Sequence, residues 1–156
     1  MKKCNRKHKH QKTAVLYLRT SNQQQGHESS MADLAAQDQL GQVYARRNGL
    51  KIVKIWTDLG SALQNDRPTF NQFVEHCEHH DSIQHIICAS LSRLARNAED
   101  MCKLRTLVGK YDKTIHCSWT NKILNHELGS EAPIGYKNNS FVDHIDVDQE
   151  KASDIK

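Results

Sequence analysis

The stretch Ile83-Gln84-His85-Ile86-Ile87-Cys88-Ala89 contains an uninterrupted apolar run that extends from Ile86 to Ala89. The middle of this stretch is apolar on both faces, and strands of that kind are typical of a parallel sheet covered by helices on each side. Three comparable segments elsewhere in the chain are predicted to be the other strands, at residues 13–19, 50–57 and 114–119.

Apolar residues at helical spacing separate these strands. Ser30 with Asp33 forms a plausible capping box for a first helix over about 32–48, Pro68 suits the first turn of a second, and Asn97 suits the start of a third. The apolar stripes of the three helices contain Leu40 and Val43, Phe73 and Cys77, and Leu104 and Val108. The alternation of strands and helices predicts an α/β domain with a four-stranded, mainly parallel sheet and helices on both faces.

Charge divides the chain into three parts. Residues 1–12 carry a net charge of +6, residues 13–142 carry +1, and residues 143–156 carry −3, within a total of +4. The basic head could bind nucleic-acid phosphates by releasing counterions, or it could be a solvated flexible terminus, and the sequence leaves both open. Its basic residues are Lys2, Lys3, Arg6, Lys7, Lys9 and Lys12.

Several classes of protein are excluded by composition. The 156 residues suit one domain with tails, and no apolar run approaches the ~20 residues of a membrane-spanning helix. The five cysteines are odd in number and scattered, which fits the reducing cytoplasm better than a disulfide framework. The run Glu75 to His80 lacks the ligand spacing of a closed zinc site, so we expect no metal and no cofactor.

Arginines follow three of the predicted strands. In an open parallel sheet, ligands bind at the carboxyl ends of the strands, and the guanidinium group matches phosphate oxygens with a planar fork of donors. Taken singly, each arginine could be an ion-pair partner or a helix-surface residue, and a lone serine after a strand is usually a turn residue. Taken together, four arginines beside one serine predict a phosphate or phosphodiester site: Arg19, Arg67, Arg93, Arg96 and Ser21.

Four motifs in this order resemble the catalytic domain of the serine site-specific recombinases, the resolvase–invertase family. The resemblance covers roughly residues 13–117, and the long segment between Ser21 and Gln37 is more similar to the large serine recombinases than to the small resolvases. The motifs are Tyr17-x-Arg19-x-Ser21, the later Gln37, Asp58-x-Gly60-Ser61 through Asp66-Arg67-Pro68, and Ser92-Arg93-Leu94-Ala95-Arg96-Asn97.

The resemblance implies a covalent mechanism on DNA. Ser21 would attack a phosphodiester to leave a 5′-phosphoserine link, and the four arginines would surround the scissile phosphate. Tyr17 would support the site, more by packing than as a second nucleophile. Gln37 would also support it, although it could equally be a helix-surface residue. Ser92 would also support the site, although many family members carry Asp there.

The C-terminal segment departs from the family. Residues 120–156 are expected to be irregular and acidic, without the long dimerisation helix or the DNA-binding domain of full-length recombinases. The expected organisation is therefore a basic tail at 1–12, a catalytic domain at 13–119 and this segment. Two functions stay open: a DNA strand-exchange enzyme that works as a homodimer or tetramer, or with a full-length recombinase, and a non-catalytic module that binds DNA phosphates or pairs with such a recombinase.

Overall fold

The computed structural model describes residues 11–20, 27–60 and 66–126. Within these ranges the chain forms strands and helices in alternation, as the sequence predicts. The elements are β1 Lys12–Arg19, α1 His27–Arg47, β2 Leu50–Asp58, α2 Pro68–His79, β3 His85–Cys88, α3 Leu91–Leu94, α4 Ala98–Gly109, β4 Thr114–Cys117 and β5 Lys122–Leu124.

The strands form one sheet in the order β2-β1-β3-β4-β5. The first four strands are parallel, and β5 pairs antiparallel with β4. The predicted fold class is confirmed, and the sheet has one strand more than the four expected. The parallel arrangement brings the carboxyl ends of β1, β2 and β3 to the same edge.

Strand β5 corrects the expectation that the chain is irregular from residue 120 onward. A turn after β4 places Asn121 at a φ of 53°, a left-handed conformation that asparagine tolerates, and reverses the chain. Because β5 has only three residues and its first two are exposed, it produces no apolar pattern in the sequence. Residues 127–156 lie outside the described part of the chain.

Alternate residues of β1 face two separate hydrophobic layers. Val15 and Tyr17 pack with buried residues of α2, α3 and α4, whereas Leu16 and Leu18 pack with α1 on the opposite face. The expected covering of the sheet on both faces is therefore present. None of the described helices combines the length and the apolar composition needed to cross a membrane.

Helix α1 differs in detail from its prediction. It begins at His27, so Ser30 and Asp33 lie inside the helix and the proposed capping box is wrong. Leu40 is 46% exposed instead of facing the core, whereas the adjacent Gly41 is buried against Leu16 of β1. A Cβ atom at Gly41 would lie 2.6 Å from a methyl group of Leu16, so any larger residue there would force the Leu16 side chain to shift.

The start of α4 agrees with its prediction. The side chain of Asn97 caps the helix by accepting a hydrogen bond of 2.8 Å from the backbone N–H of Asp100. The preceding four-residue helix α3 was not predicted, because it is shorter than the repeat that defines a helical stripe.

A buried chain of ring and hydroxyl groups connects α1 with two strands. Tyr44 Oη lies 3.0 Å from His116 Nδ1, and His116 Nε2 lies 3.0 Å from His85 Nδ1. Burial, with the nearby His85 and Lys12, lowers the pKa of His116 to about 4. His116 is therefore neutral in the native protein at neutral pH.

We predict that this histidine makes the fold sensitive to acid. Its native pKa lies below the ordinary value of about 6.5, so the unfolded chain binds more protons between these two values. The free energy of unfolding should fall as the pH drops from about 6.5 to 4, by up to ~3 kcal/mol from this group. Urea unfolding at a series of pH values should show a flatter profile for His116→Gln, whereas the exposed-site control His79→Gln should retain the wild-type slope. Equal slopes for both variants would contradict this account.

Candidate active site

The carboxyl ends of three strands deliver charged side chains to one edge of the sheet. Arg19 ends β1 and pairs in register with Asp58, which ends β2. Strand β3 leads into the segment that carries Arg93 and Arg96, and Arg67 directly precedes α2. The topology thus brings the four predicted arginines together.

Arg67 is the buried centre of this cluster, with only 7% of its surface exposed. Its Nη2 donates to Asp58 Oδ2 at 3.0 Å and to Tyr17 Oη at 3.1 Å. Its Nη1 donates to Asp100 Oδ2 at 2.5 Å and to the carbonyl oxygen of Leu94 at 3.0 Å. Two carboxylates therefore hold one guanidinium group in a fixed orientation.

Tyr17 completes this network from within β1. Its hydroxyl donates to Asp58 Oδ2 at 2.7 Å, and burial together with Asp58 raises the pKa of Tyr17 above its ordinary value. Burial alone would raise the pKa of Asp58, but hydrogen bonds from Tyr17, Arg67 and the Gly60 N–H hold it below its usual value. The tyrosine stays protonated as a donor, and the carboxylate stays charged opposite Arg67.

Arg19 links β1 to α3. Its Nε donates to the carbonyl oxygen of Arg93 at 2.8 Å, and its Nη2 donates to that of Ser92 at 2.7 Å. The amide of Gln37 brackets the backbone of Arg19, donating to its carbonyl oxygen at 2.8 Å and accepting from its N–H at 3.2 Å. Gln37 is 1% exposed, so its side chain is buried and does not lie on the helix surface.

Arg93 lies between α1, β1 and the turn after β4. Its Nη1 lies 3.1 Å from Asp33 Oδ2 and donates to the carbonyl oxygen of Arg19 at 3.3 Å. The guanidinium carbon is 5.4 Å from the centre of the Trp119 ring. Three elements therefore restrict this side chain.

Arg96 is anchored through its backbone while its side chain is exposed. Its N–H donates to Asp100 Oδ2 at 2.9 Å, the same oxygen that binds Arg67. A Cβ atom at Gly60 would lie 2.7 Å from Arg96 Nη2, so the guanidinium group rests directly on this glycine. The side chain of Asp58 accepts from the Gly60 N–H at 3.0 Å and fixes the glycine in turn.

The electrostatics of the site follow from this crowding. Burial, with the nearby Arg96 and Arg67, lowers the pKa of Arg19 to about 10. The four guanidinium groups are accompanied by the three carboxylates of Asp33, Asp58 and Asp100. The formal balance leaves one positive charge, which equals the charge of one phosphodiester with opposite sign. The arrangement can therefore neutralise a bound phosphate without leaving a large uncompensated charge.

The sequence-predicted residues divide into three groups. The four arginines gather at the sheet edge with Tyr17, Gln37 and the backbone of Ser92. Lys12 is the exposed first residue of β1, so it lies at the opposite end of the strand, about 23 Å from Arg19. The remaining predicted residues lie outside the described part of the chain: Ser21, Lys2, Lys3, Arg6, Lys7 and Lys9.

The sequence does not predict which carboxylates hold the arginines. It indicates Asp33 only as part of a capping box and Asp58 only as part of a motif, and it gives no signal that Asp100 binds an arginine. In the described part of the chain, no group of three or more His, Cys, Asp or Glu residues could hold a metal ion.

Comparison with known protein families and structures gives a consistent result. The family model described as the N-terminal domain of resolvase matches residues 14–126. No curated protein matches the chain.

Several solved structures share the fold. A resolvase family site-specific recombinase from Streptococcus pneumoniae is 24% identical with a TM-score of 0.60, over 72% of this chain and 75% of that one. The N-terminal catalytic domain of TP901-1 integrase is 21% identical with a TM-score of 0.60, over 76% and 87% of the two chains. The C-terminal catalytic domain of ISC1926 TnpA, an IS607-like serine recombinase, is 23% identical with a TM-score of 0.56, over 69% and 70%.

Proposed function

Because this chain belongs to the resolvase family, we propose that it catalyses site-specific DNA recombination through a covalent bond between Ser21 and a 5′ phosphate. The observation that supports this most strongly is the cluster of four guanidinium groups at the carboxyl end of β1. Ser21 follows Thr20, the last described residue after that strand, by one peptide bond.

The proposed cleavage step is a phosphoryl transfer. The Ser21 hydroxyl oxygen forms a bond to phosphorus and loses its proton, while the bond from phosphorus to the 3′ oxygen breaks and that oxygen gains a proton. Negative charge develops on the nonbridging oxygens, where fixed guanidinium groups stabilise it. Because the phosphoserine bond replaces the broken phosphodiester, religation to a new 3′ hydroxyl is the reverse step and needs no ATP.

The rigidity of the cluster supports this role. Arg67 and Arg19 are held by buried carboxylates and carbonyl oxygens, so little reorganisation is needed when a phosphate binds. Removing one preorganised donor from comparable sites costs roughly 3–4 kcal/mol in the transition state. Arg96, with its exposed side chain, is the arginine best placed to meet the phosphate first.

Partners follow from the proposed reaction. Exchange between two DNA duplexes joins ends from different molecules. We therefore propose that several copies of this chain act together on DNA, or that a full-length recombinase supplies the other subunits. The basic residues before β1 are proposed to contribute DNA contacts, although Lys12 lies at the far end of the strand. Four described cysteines are free, which suits the proposed cytoplasmic location.

The test is the trapping of a covalent adduct. The full chain is incubated with a supercoiled plasmid library carrying random inserts, the reaction is stopped with detergent, and protein-linked DNA is captured and sequenced. We expect breaks with protein on the 5′ end and a 3′ hydroxyl that a polymerase extends. Protein on 3′ ends would contradict the proposed chemistry, and no adduct at all, even with a full-length recombinase present, would favour the non-catalytic alternative.

A substitution at Gly60 tests the position of Arg96. Gly60→Ala places a methyl group 2.7 Å from Arg96 Nη2, and the flexible side chain should move away at little cost to stability. We expect adduct formation to slow roughly tenfold or more, because displacing a catalytic group by an ångström can cost ~100-fold. The control is Gly109→Ala, where a Cβ atom would meet nothing within 4 Å. An unchanged rate in Gly60→Ala would remove Arg96 from the proposed site.

A further inference from the structure

One ion pair of the site connects helix α1 with helix α3. Asp33 Oδ2 lies 3.1 Å from Arg93 Nη1, and Asp33 Oδ1 lies 3.5 Å from Arg93 Nη2. The two side chains are 23% and 14% exposed, so water screens their attraction only in part. Neither the sequence motifs nor the resemblance assigns Asp33 a role in the site.

Arg93 needs such a partner because of its other neighbours. Its guanidinium group lies close enough to Arg19 to contribute to the lowered pKa of that residue, and its Nη1 donates to the Arg19 carbonyl oxygen. Like charges at this spacing repel one another, and the repulsion favours an arginine that swings out toward solvent. The Asp33 carboxylate opposes that movement.

The carboxylate comes from α1 because the local sequence around Arg93 offers none. The adjacent Ser92 is uncharged, and its hydroxyl lies 2.9 Å from that of Ser90. Asp33 Oδ2 is within ion-pair distance of Arg93 but makes no aligned hydrogen bond among the described residues. Charge attraction and one long hydrogen bond, from Arg93 Nη2 to Asp33 Oδ1, therefore hold the pair together.

We propose that Asp33 is a positioning residue, whose carboxylate holds the guanidinium group of Arg93 against the end of β1 in readiness for the scissile phosphate. This inference rests on the proposed function. It requires that Asp33 assists the reaction, and it excludes the opposite role, in which the carboxylate competes with DNA for Arg93.

The experiment compares Asp33→Asn and Asp33→Glu in the full chain, with Asp38→Asn as the control. Asp38 lies on the same helix and accepts a hydrogen bond from Gln42, away from the arginines. Adduct formation on the supercoiled library is measured at increasing DNA concentration, which separates the maximal rate from the DNA concentration at half-maximum. Thermal unfolding of each variant shows whether the fold is retained.

We expect Asp33→Asn to lower the maximal rate roughly tenfold or more, with little change in the half-saturating DNA concentration, because the arginine is misplaced and not removed. Asp33→Glu should restore most of the rate, since it retains the charge. A rate equal to wild type in Asp33→Asn would overturn the inference, and a faster rate would establish the competing role instead.

A second measurement separates this inference from the proposed function. Nuclear magnetic resonance can follow rotation about the Nε–Cζ bond of Arg93, with the signal assigned by its loss in Arg93→Lys. Rotation should be slower than that of the exposed Arg105 in the wild type and should become as fast in Asp33→Asn. Restricted rotation without any adduct from the wild-type chain would overturn the proposed function while retaining the ion pair. Rotation that does not respond to Asp33→Asn would overturn the positioning role itself.

Discussion

Ser21→Ala should abolish covalent adducts while the protein stays folded. The hydroxyl oxygen is the proposed attacking atom, and no other group can form the same 5′ bond once it is removed. The expected loss is complete within detection, because a serine nucleophile elsewhere typically supplies a factor of ~10⁶ in rate. The measurement is quantification of protein-linked 5′ ends by sequencing, with circular dichroism and urea unfolding to verify the fold.

Ser29→Ala is the matched control for this prediction. Ser29 lies on the exposed surface of α1, eight residues after Ser21. Ser29→Ala removes the same kind of group, a serine hydroxyl, without changing the arginine cluster. Its adduct yield should equal that of the wild type. An adduct that survives Ser21→Ala would show that another residue is the nucleophile and would contradict the proposed mechanism.

Arg67→Met should unfold the domain more readily than any other single change at the site. The substitution retains an apolar side chain of similar length but removes the charge that Asp58 and Asp100 share. Breaking a buried ion pair by removing one partner typically costs ~3–5 kcal/mol, because the remaining charge stays buried without compensation. Urea unfolding should show a loss of this size in the free energy of unfolding.

Two comparisons define the cause of that loss. Arg105→Met, at an exposed position of α4, should change the free energy of unfolding by no more than ~0.5 kcal/mol. Adding Asp58→Asn and Asp100→Asn to Arg67→Met should recover part of the lost stability, since the unpaired charges are removed. A loss at Arg67 no larger than at Arg105 would mean that the buried network is not a structural centre.

These expectations assign different roles to arginines that look equivalent in the sequence. Arg67 is buried and paired with two carboxylates, so it organises the edge of the sheet, whereas Arg96 is exposed and rests on a glycine. Substitution of Arg67 should therefore reduce activity through instability, and substitution around Arg96 should reduce activity alone. The burial of each side chain determines this difference, and burial is a property of the folded chain.

The sequence predicts the sheet because its strands carry strong local signals. The residues around Ile86 are apolar on both faces, and helices with clear stripes or caps separate the strands. Strand β5 escapes prediction because three partly exposed residues carry no periodicity, and Leu40 is misjudged because the adjacent Gly41, and not Leu40, packs against the sheet. These errors arise from tertiary contacts that no local pattern records.

The same distinction applies to the candidate site. The arginines are predictable because each lies at or after the end of a strand, and strand ends share an edge in a parallel sheet. Their carboxylate partners are not predictable in this way, because Asp33 and Asp100 belong to helices that reach the site only in the folded chain. Asp33 is 60 residues from Arg93 in sequence, and nothing in either segment indicates the pairing.

The most direct test of the central claim is to identify the residue that carries DNA. Adducts from the wild-type chain are trimmed with nuclease and digested with trypsin, and the modified peptide is sequenced by tandem mass spectrometry. The tryptic peptide from Thr20 to Arg46 contains three serines, at positions 21, 29 and 30, so fragmentation must separate them. We predict a nucleotide phosphate on Ser21. A nucleotide on Ser29, on Ser30 or on any residue outside this peptide would contradict the assignment of the nucleophile.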